Sequence, residues 1–150
     1  MGFSERKGDI FLADDIEVIA HGVNCRGYFG AGFALEVAKR YPWAKDEYLH
    51  SFEHRHLIPG AAIMTTSRFD GEPAIAHLCT QDRPGPDAKL RWIAKSVAAL
   101  LDELSYNNWN SRLGMPRIGC GIGGLDWIEV RMLLEVLGNE YAGQLVVFSL

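Results

Sequence analysis

Two glycine-rich stretches carry the most legible chemistry in this sequence. One reads Gly27-Tyr28-Phe29-Gly30-Ala31-Gly32, the other Gly119-Cys120-Gly121-Ile122-Gly123-Gly124. Each follows a predicted strand and leads into a predicted helix. Backbone N–H groups in such a loop point outward, and a helix N-terminus adds partial positive charge, so each is a ready anion site. Two of them in one small chain predict a ligand with two phosphates, gripped from both sides. A diphosphate-bearing nucleotide fits. Residues 119–124 also satisfy G-x-G-x-x-G, the dinucleotide fingerprint. Only 26 residues follow Gly124 in the 150-residue chain, too few for the remainder of a dinucleotide fold. No G-x-x-x-x-G-K-[ST] occurs, which excludes a P-loop.

The histidines of the 50–56 region offer less. His50 and His54 stand at i, i+4, but Glu53 and Arg55 between and beyond them do not complete H-E-x-x-H. The segment reads as the solvated face of a helix, and no metal or cofactor is expected.

Strands and helices must hold the two loops. Apolar, β-branched runs at Ile16–Val23, Ala61–Thr66, Ala74–Cys79, Leu113–Ile118 and Gln144–Leu150 predict strands, with a shorter one near Asp9–Leu12. Leu90, Ile93, Ala94, Val97, Leu101 and Leu104 recur at helical spacing, so a helix is predicted over about residues 87–105. Trp127, Val130, Leu134 and Leu137 mark the last helix, with Gly138 as its stop signal. Further helices are predicted from about Ala31 to Arg40, ending before Pro42, and from about Ala44 to His54. Asp82-Arg83-Pro84-Gly85-Pro86-Asp87 is a cluster of breakers and predicts a loop. Strands alternating with helices imply an α/β domain with a mostly parallel sheet. Residues 1–150 are expected to form that single domain, with no repeat and no linker.

Bulk composition narrows the class. Hydrophobic residues make up 48% and charged residues 23%, ordinary for a globular chain. A net charge of −4 argues against holding long nucleic acid by charge alone. Cys25, Cys79 and Cys120 are widely spaced and form no C-x-x-C, so free thiols in a reducing compartment are expected. No apolar run approaches the roughly 18–20 residues of a membrane span, and the charged N-terminus is unlike a signal peptide. A cytoplasmic location without membrane partners is the expectation.

With these segments in place, the sequence resembles a macrodomain, the ADP-ribose-binding α/β family. The first matching block is Val18-Ile19-Ala20-His21-Gly22-Val23-Asn24-Cys25, followed by Gly27, Gly30 and Gly32 and the helix to Arg40-Tyr41-Pro42. The second is Met115-Pro116-Arg117-Ile118-Gly119-Cys120-Gly121, running on to Trp127. With Gly8-Asp9-Ile10 and the terminal strand, the resemblance spans nearly the whole chain. It implies a three-layer α/β/α sandwich around a mixed, mostly parallel sheet. Within the family the chain is similar to a branch of terminal ADP-ribose glycohydrolases, toxin-reversing DNA ADP-ribosyl glycohydrolases and ADP-ribose 1''-phosphate phosphatases. His21-x-x-Asn24-Cys25, Arg40-Tyr41-Pro42-x-Ala44 and Tyr48 look most like the phosphatases, and Pro116–Gly121 looks closer to the glycohydrolases.

The resemblance also implies a ligand-binding set. Asp9, beside Ile10, would accept the adenine amine, and Phe148 would pack on the adenine. Asn24 would hydrogen-bond the distal ribose. Gly30, Ala31 and Gly32 would hold the diphosphate from one side. Gly119, Cys120, Gly121, Ile122, Gly123 and Gly124 would hold it from the other. Thr80 and Gln81 complete the set, Gln81 orienting a water or a ribose hydroxyl.

For catalysis the sequence departs from the glycohydrolase pattern. Those enzymes use a lysine just after the strand matching Ala74–Cys79, where this chain has Thr80-Gln81-Asp82 and no lysine before Lys89. Gly123 stands where their catalytic aspartate falls, and Asp126 is the nearest carboxylate. The phosphatase-like members carry a histidine at the position of His21, whose ordinary pKa near 6.5 suits acid–base work. His21, Asp126 and Asn24 are therefore the catalytic candidates, in a metal-independent hydrolase of ADP-ribose 1''-phosphate or of ADP-ribosyl protein or nucleic-acid adducts. Two alternatives stay open: a non-catalytic ADP-ribose-binding module, and an RNA-binding macrodomain that takes poly(A) into the adenine pocket.

Overall fold

A computed structural model describes residues 2–67 and 69–150. The chain runs β1 (Gly2–Lys7), a 3-10 turn (Ile10–Leu12), β2 (Val18–Val23), α1 (Gly32–Arg40), α2 (Pro42–Glu53), β3 (Ala62–Thr65) and β4 (Ala74–Cys79). It continues through α3 (Leu90–Tyr106), β5 (Arg112–Met115), α4 (Trp127–Glu140) and β6 (Gln144–Ser149). The strands form one sheet in the order β1-β6-β5-β2-β4-β3. All neighbours are parallel except β3, which runs antiparallel to β4. The sheet is thus mixed and mostly parallel, and it is layered by helices on both faces.

Strand alternation distributes the core. Val18, Ala20, Ala76, Leu78, Leu113, Met115 and Leu145 face α3 and α4, packing with Ile93, Val97, Leu100 and Leu134. Ile19, Val23, Ile75, Cys79, Val146 and Phe148 face the other way, onto α1 and α2 through Val37, Ala44 and Tyr48. Strands buried on both faces read as continuous apolar runs, which is why Ala74–Cys79 is fully buried along its length. Pro42 occupies the first turn of α2, where its missing N–H costs nothing, so α1 and α2 meet at Tyr41 with no spacer.

Two elements differ from the sequence expectation. The segment Asp9–Leu12 is no strand: Asp9 caps a 3-10 turn, its carboxylate accepting the Phe11 N–H at 2.9 Å. The edge strand is instead Gly2–Lys7, whose charged Glu5, Arg6 and Lys7 are exposed and blur any apolar run. Gly138 does not stop α4, which continues to Glu140. A Cβ there would stand 3.1 Å from Phe3 and 3.4 Å from Leu145. Gly138 therefore serves close packing of α4 on β1 and β6.

Strand order fixes where a ligand can sit. β2 neighbours β5 on one side and β4 on the other. The chain leaves β2 toward α1 on one face and leaves β5 toward α4 on the opposite face. Such divergence opens a crevice at the carboxyl ends of the strands. Both glycine loops flank it. No helix among the described residues is long and apolar enough to cross a membrane.

Candidate functional site

The crevice is a cleft of about 710 Å³, within the roughly 300–1,000 Å³ of small-molecule sites. One wall comprises Gly30, Ala31, Gly32, Phe33 and Ala34 at the start of α1; the other comprises Gly119, Gly121, Ile122 and Gly123. His21, Gly22, Val23, Asn24, Thr80 and Gln81 come from the ends of β2 and β4, and Pro84 and Gly85 close the rim.

Both walls present unspent backbone donors. Ala31 caps α1 with no side-chain hydrogen bond. Among the described residues, the N–H groups of Gly32 and Phe33 find no acceptor in the first turn, as expected where a helix end awaits an anion. The N–H groups of Gly121, Ile122 and Gly123 are likewise without acceptors among the described residues. The second loop works through its own backbone, because Asp126 seals the N-terminus of α4 by accepting the Ile128 N–H at 3.0 Å. A nest of successive N–H groups suits an oxyanion as well as a helix terminus does.

Several glycines of the loops have different reasons to be glycine. Gly119 has φ +76°, and a Cβ there would lie 2.7 Å from Ile93, so the fold itself requires it. Gly30 and Gly121 lie outside the left-handed region, and a Cβ at either would meet none of the described residues within 4 Å. Both line the cleft, so a side chain at either would take up ligand space. Ile122 spans the opening: its Cδ1 stands 3.2 Å from where a Cβ at Gly32 would be.

Asn24 is the keystone of the first loop. Its Oδ1 accepts from the N–H groups of Arg26 at 2.9 Å and Tyr28 at 3.3 Å, and its Nδ2 donates to the Tyr28 carbonyl at 2.7 Å. The Tyr48 hydroxyl lies 2.8 Å from the Asn24 carbonyl and 3.0 Å from Oδ1, and accepts the Gly27 N–H at 3.2 Å. Burial holds the Tyr48 phenol well above its ordinary value, so it stays a neutral donor. One Nδ2 proton of Asn24 remains for a ligand.

His21 lies in the cleft floor but is almost fully buried. Its Nε2 meets Nδ1 of His77 at 2.9 Å, and Phe29, Phe33 and Tyr48 surround the pair. His21 Nδ1 and His77 Nε2 have no hydrogen-bond partner among the described residues. Burial, reinforced by His77, holds His21 well below 6.5. Burial takes His77 down to about 4, against a small opposing effect of the Ala44 backbone. Both imidazoles are neutral at pH 7.

The other expected residues are distributed as follows. Thr80 is buried on the lining, and the Gln81 amide donates to the carbonyls of Arg83 at 2.6 Å and Gly85 at 3.0 Å, shaping the rim. Cys120 turns its thiol to the Ile118 carbonyl at 3.4 Å, and burial raises its pKa. Cys120, Gly124 and Asp126 lie outside the lining, with Asp126 committed to the cap. Asp9, Ile10 and Phe148 also lie outside the lining. Ile10 and Phe148 pack around Gly114, and Arg6 covers the Phe148 ring at 5.0 Å.

Lining residues beyond the expected set include Tyr28, Phe33, Pro84, Gly85, Arg117 and Ile118. Phe33 presents an aromatic wall stacked on Phe11, with centroids 4.9 Å apart. Arg117 and Ile118 immediately precede the second glycine loop, so proximity in the chain was their signal. Pro84 and Gly85 gave none beyond their loop composition.

Residues 20–134 match the Macro domain family. The chain is 30% identical over 128 residues to a DNA ADP-ribosyl glycohydrolase of Mycobacterium tuberculosis, covering 85% of this chain and 36% of that protein. It therefore spans little more than a third of that relative's length. It is 29% identical over 130 residues to an ADP-ribose 1''-phosphate phosphatase of Lodderomyces elongisporus, covering 81% of each. Among solved structures, the macrodomain of Mycobacterium tuberculosis DarG superposes with a TM-score of 0.89 at 25% identity, covering 100% of this chain and 99% of that one.

Proposed function

This chain belongs to the Macro domain family, and from that premise we propose that it is one macrodomain that binds ADP-ribose and hydrolyses ADP-ribose derivatives. The observation that carries the reading is the pair of facing loops whose unspent N–H groups meet in one cleft. Two N–H nests suit two linked phosphates. Phe33 offers an apolar surface for a base or sugar, and the free Nδ2 proton of Asn24 suits a ribose hydroxyl. The names of the relatives support hydrolysis, of the terminal phosphate of ADP-ribose 1''-phosphate or of an ADP-ribosyl link to DNA.

For turnover the candidates are His21 and Asn24 at the cleft floor. His21 would act as a neutral hydrogen-bonding group, because its pKa lies below the working range. Asp126 would act through α4, whose first turn it holds. A cytoplasmic setting suits the three free thiols.

One observation favours a second reading. Among the described lining residues there is no carboxylate and no lysine, so a binding module without turnover also fits. Phosphorus NMR of ADP-ribose 1''-phosphate with the purified protein separates the two. Release of free phosphate, lost in His21→Ala, establishes hydrolysis; broadened diphosphate signals without release establish binding alone; an unchanged spectrum removes the ADP-ribose assignment.

A further inference from the structure

We propose that His77 is a positioning residue that holds His21 in one tautomer, its proton on Nε2, so that the cleft floor offers a bare Nδ1 to a hydroxyl. This rests on the ADP-ribose reading above and deepens it by naming the group that the floor recognises: an O–H, not an ionised phosphate oxygen.

The two imidazoles stand among apolar neighbours on one face of the sheet, with Ile19 and Val23 flanking His21 and Ile75 and Cys79 flanking His77. A neutral imidazole has one donor and one acceptor nitrogen, so once the rings share a hydrogen bond, fixing one nitrogen fixes all four. The far end of the pair does this. His77 Nδ1 meets His21, and Nε2 is left to its other surroundings. The Tyr48 hydroxyl is committed to Asn24 and Gly27, and Phe29 offers only a ring. The Ala44 backbone has no donor to give, because its N–H is spent on the Tyr41 carbonyl at 2.9 Å. It acts on His77 as an acceptor does, favouring a proton on the ring. The contact falls short of a hydrogen bond, yet its sign decides the tautomer. A proton on His77 Nε2 faces the Ala44 carbonyl, whereas a lone pair there would face another lone pair in a dry core. His77 Nδ1 is then the acceptor, His21 Nε2 the donor and His21 Nδ1 bare. Among the described residues that nitrogen is buried without a partner, and it belongs to a residue of the cleft lining. A buried acceptor of this kind has a hydrogen bond to gain. A hydroxyl of the distal ribose or a water can supply the proton; an ionised phosphate oxygen has none.

Long-range proton–nitrogen NMR of the full chain reads the tautomers directly, since bare and protonated ring nitrogens resonate far apart. At pH 7 the free wild type should show His21 and His77 each protonated on Nε2. A His21 proton on Nδ1 overturns the proposal before any ligand is added. His77→Asn, whose amide oxygen can replace Nδ1 as acceptor, should keep the His21 tautomer, and His77→Phe, which offers no acceptor, should lose it. An unchanged His21 tautomer in His77→Phe would reduce His77 to core packing and sink its positioning role. ADP-ribose affinity should fall about tenfold in His77→Phe and recover in large part in His77→Asn; equal losses overturn the proposal. Adding ADP-ribose to the wild type should shift the His21 Nδ1 resonance, and ADP, which lacks the distal ribose, sorts the source. A shift with ADP-ribose alone identifies the ribose hydroxyl, and a shift with both identifies a water held beneath the diphosphate. No shift, while the phosphorus signals of ADP-ribose broaden, overturns the hydroxyl contact. Phosphorus signals that the protein leaves unchanged would overturn the ADP-ribose reading instead.

Discussion

His21 and His77 are register partners on adjacent parallel strands, and their imidazoles meet Nε2 to Nδ1 at 2.9 Å inside the core. With both rings neutral and their tautomers complementary, one nitrogen of the contact donates and the other accepts. Two protons on the facing nitrogens would break it. The pair therefore links the cleft floor to the protonation state of the α1–α2 core.

That linkage predicts acid sensitivity. Both histidines have folded pKa values below the unfolded value near 6.5, His77 at about 4. The unfolded chain thus binds more protons as pH falls, and stability present above about pH 6.5 drains away toward pH 4. His77 alone should cost about 2 kcal/mol between pH 7 and pH 5. Urea unfolding at the two pH values measures it, and His77→Phe should flatten the slope. Equal stability at pH 5 and pH 7 would rule the linkage out.

Gly30→Ala and Gly121→Ala should separate ligand space from folding. A Cβ at either position meets none of the described residues within 4 Å, so melting temperatures should barely move. Affinity for ADP-ribose should fall by about tenfold or more, as a methyl group enters the cleft and disturbs its N–H donors. Gly119→Ala should behave in the opposite way, destabilising by about 1–3 kcal/mol through its positive φ and the contact with Ile93. Calorimetry with ADP-ribose alongside thermal melts distinguishes the two classes.

Tyr48→Phe removes the hydroxyl that ties Asn24 to Gly27. A loss of about 1–2 kcal/mol in stability is expected, because the Gly27 N–H loses its acceptor. Amide exchange in residues 24–28 should accelerate more than exchange in α3. Uniform acceleration throughout the chain would show that the hydroxyl supports the whole fold, not the loop.

Asp126→Ala should cost about 1 kcal/mol by uncapping α4, whereas Asp126→Asn, which can still cap, should be nearly neutral. Turnover of Asp126→Asn should stay close to wild type, since the carboxylate is committed to the Ile128 N–H. A large loss of turnover with unchanged stability would instead give that carboxylate a chemical role.

The layered α/β class and the interior strands were legible from residue order alone, because a parallel sheet buried on both faces writes near-continuous apolar runs. Ala74–Cys79 appears with the same limits in both readings. Both glycine loops were legible too, since no other residue tolerates the backbone of Gly119 or leaves the space beside Gly30 and Gly121. Other features depended on contacts between distant segments. β1 was hidden because an edge strand with a charged outer end carries little apolar pattern, and Asp9–Leu12 imitated a strand while forming a capped turn. Gly138 looked like a helix stop because its true constraint, the approach of Phe3, comes from the other end of the chain. His21 had the composition of an acid–base group, yet its pKa depends on burial and on His77, a partner 56 residues away. Arg117 was legible as part of a motif, but its place over the Trp127 ring arises only when β5 and α4 pack together. Local chemistry sets what each residue can do; long-range packing sets the dielectric, the partners and the open space that decide what it does.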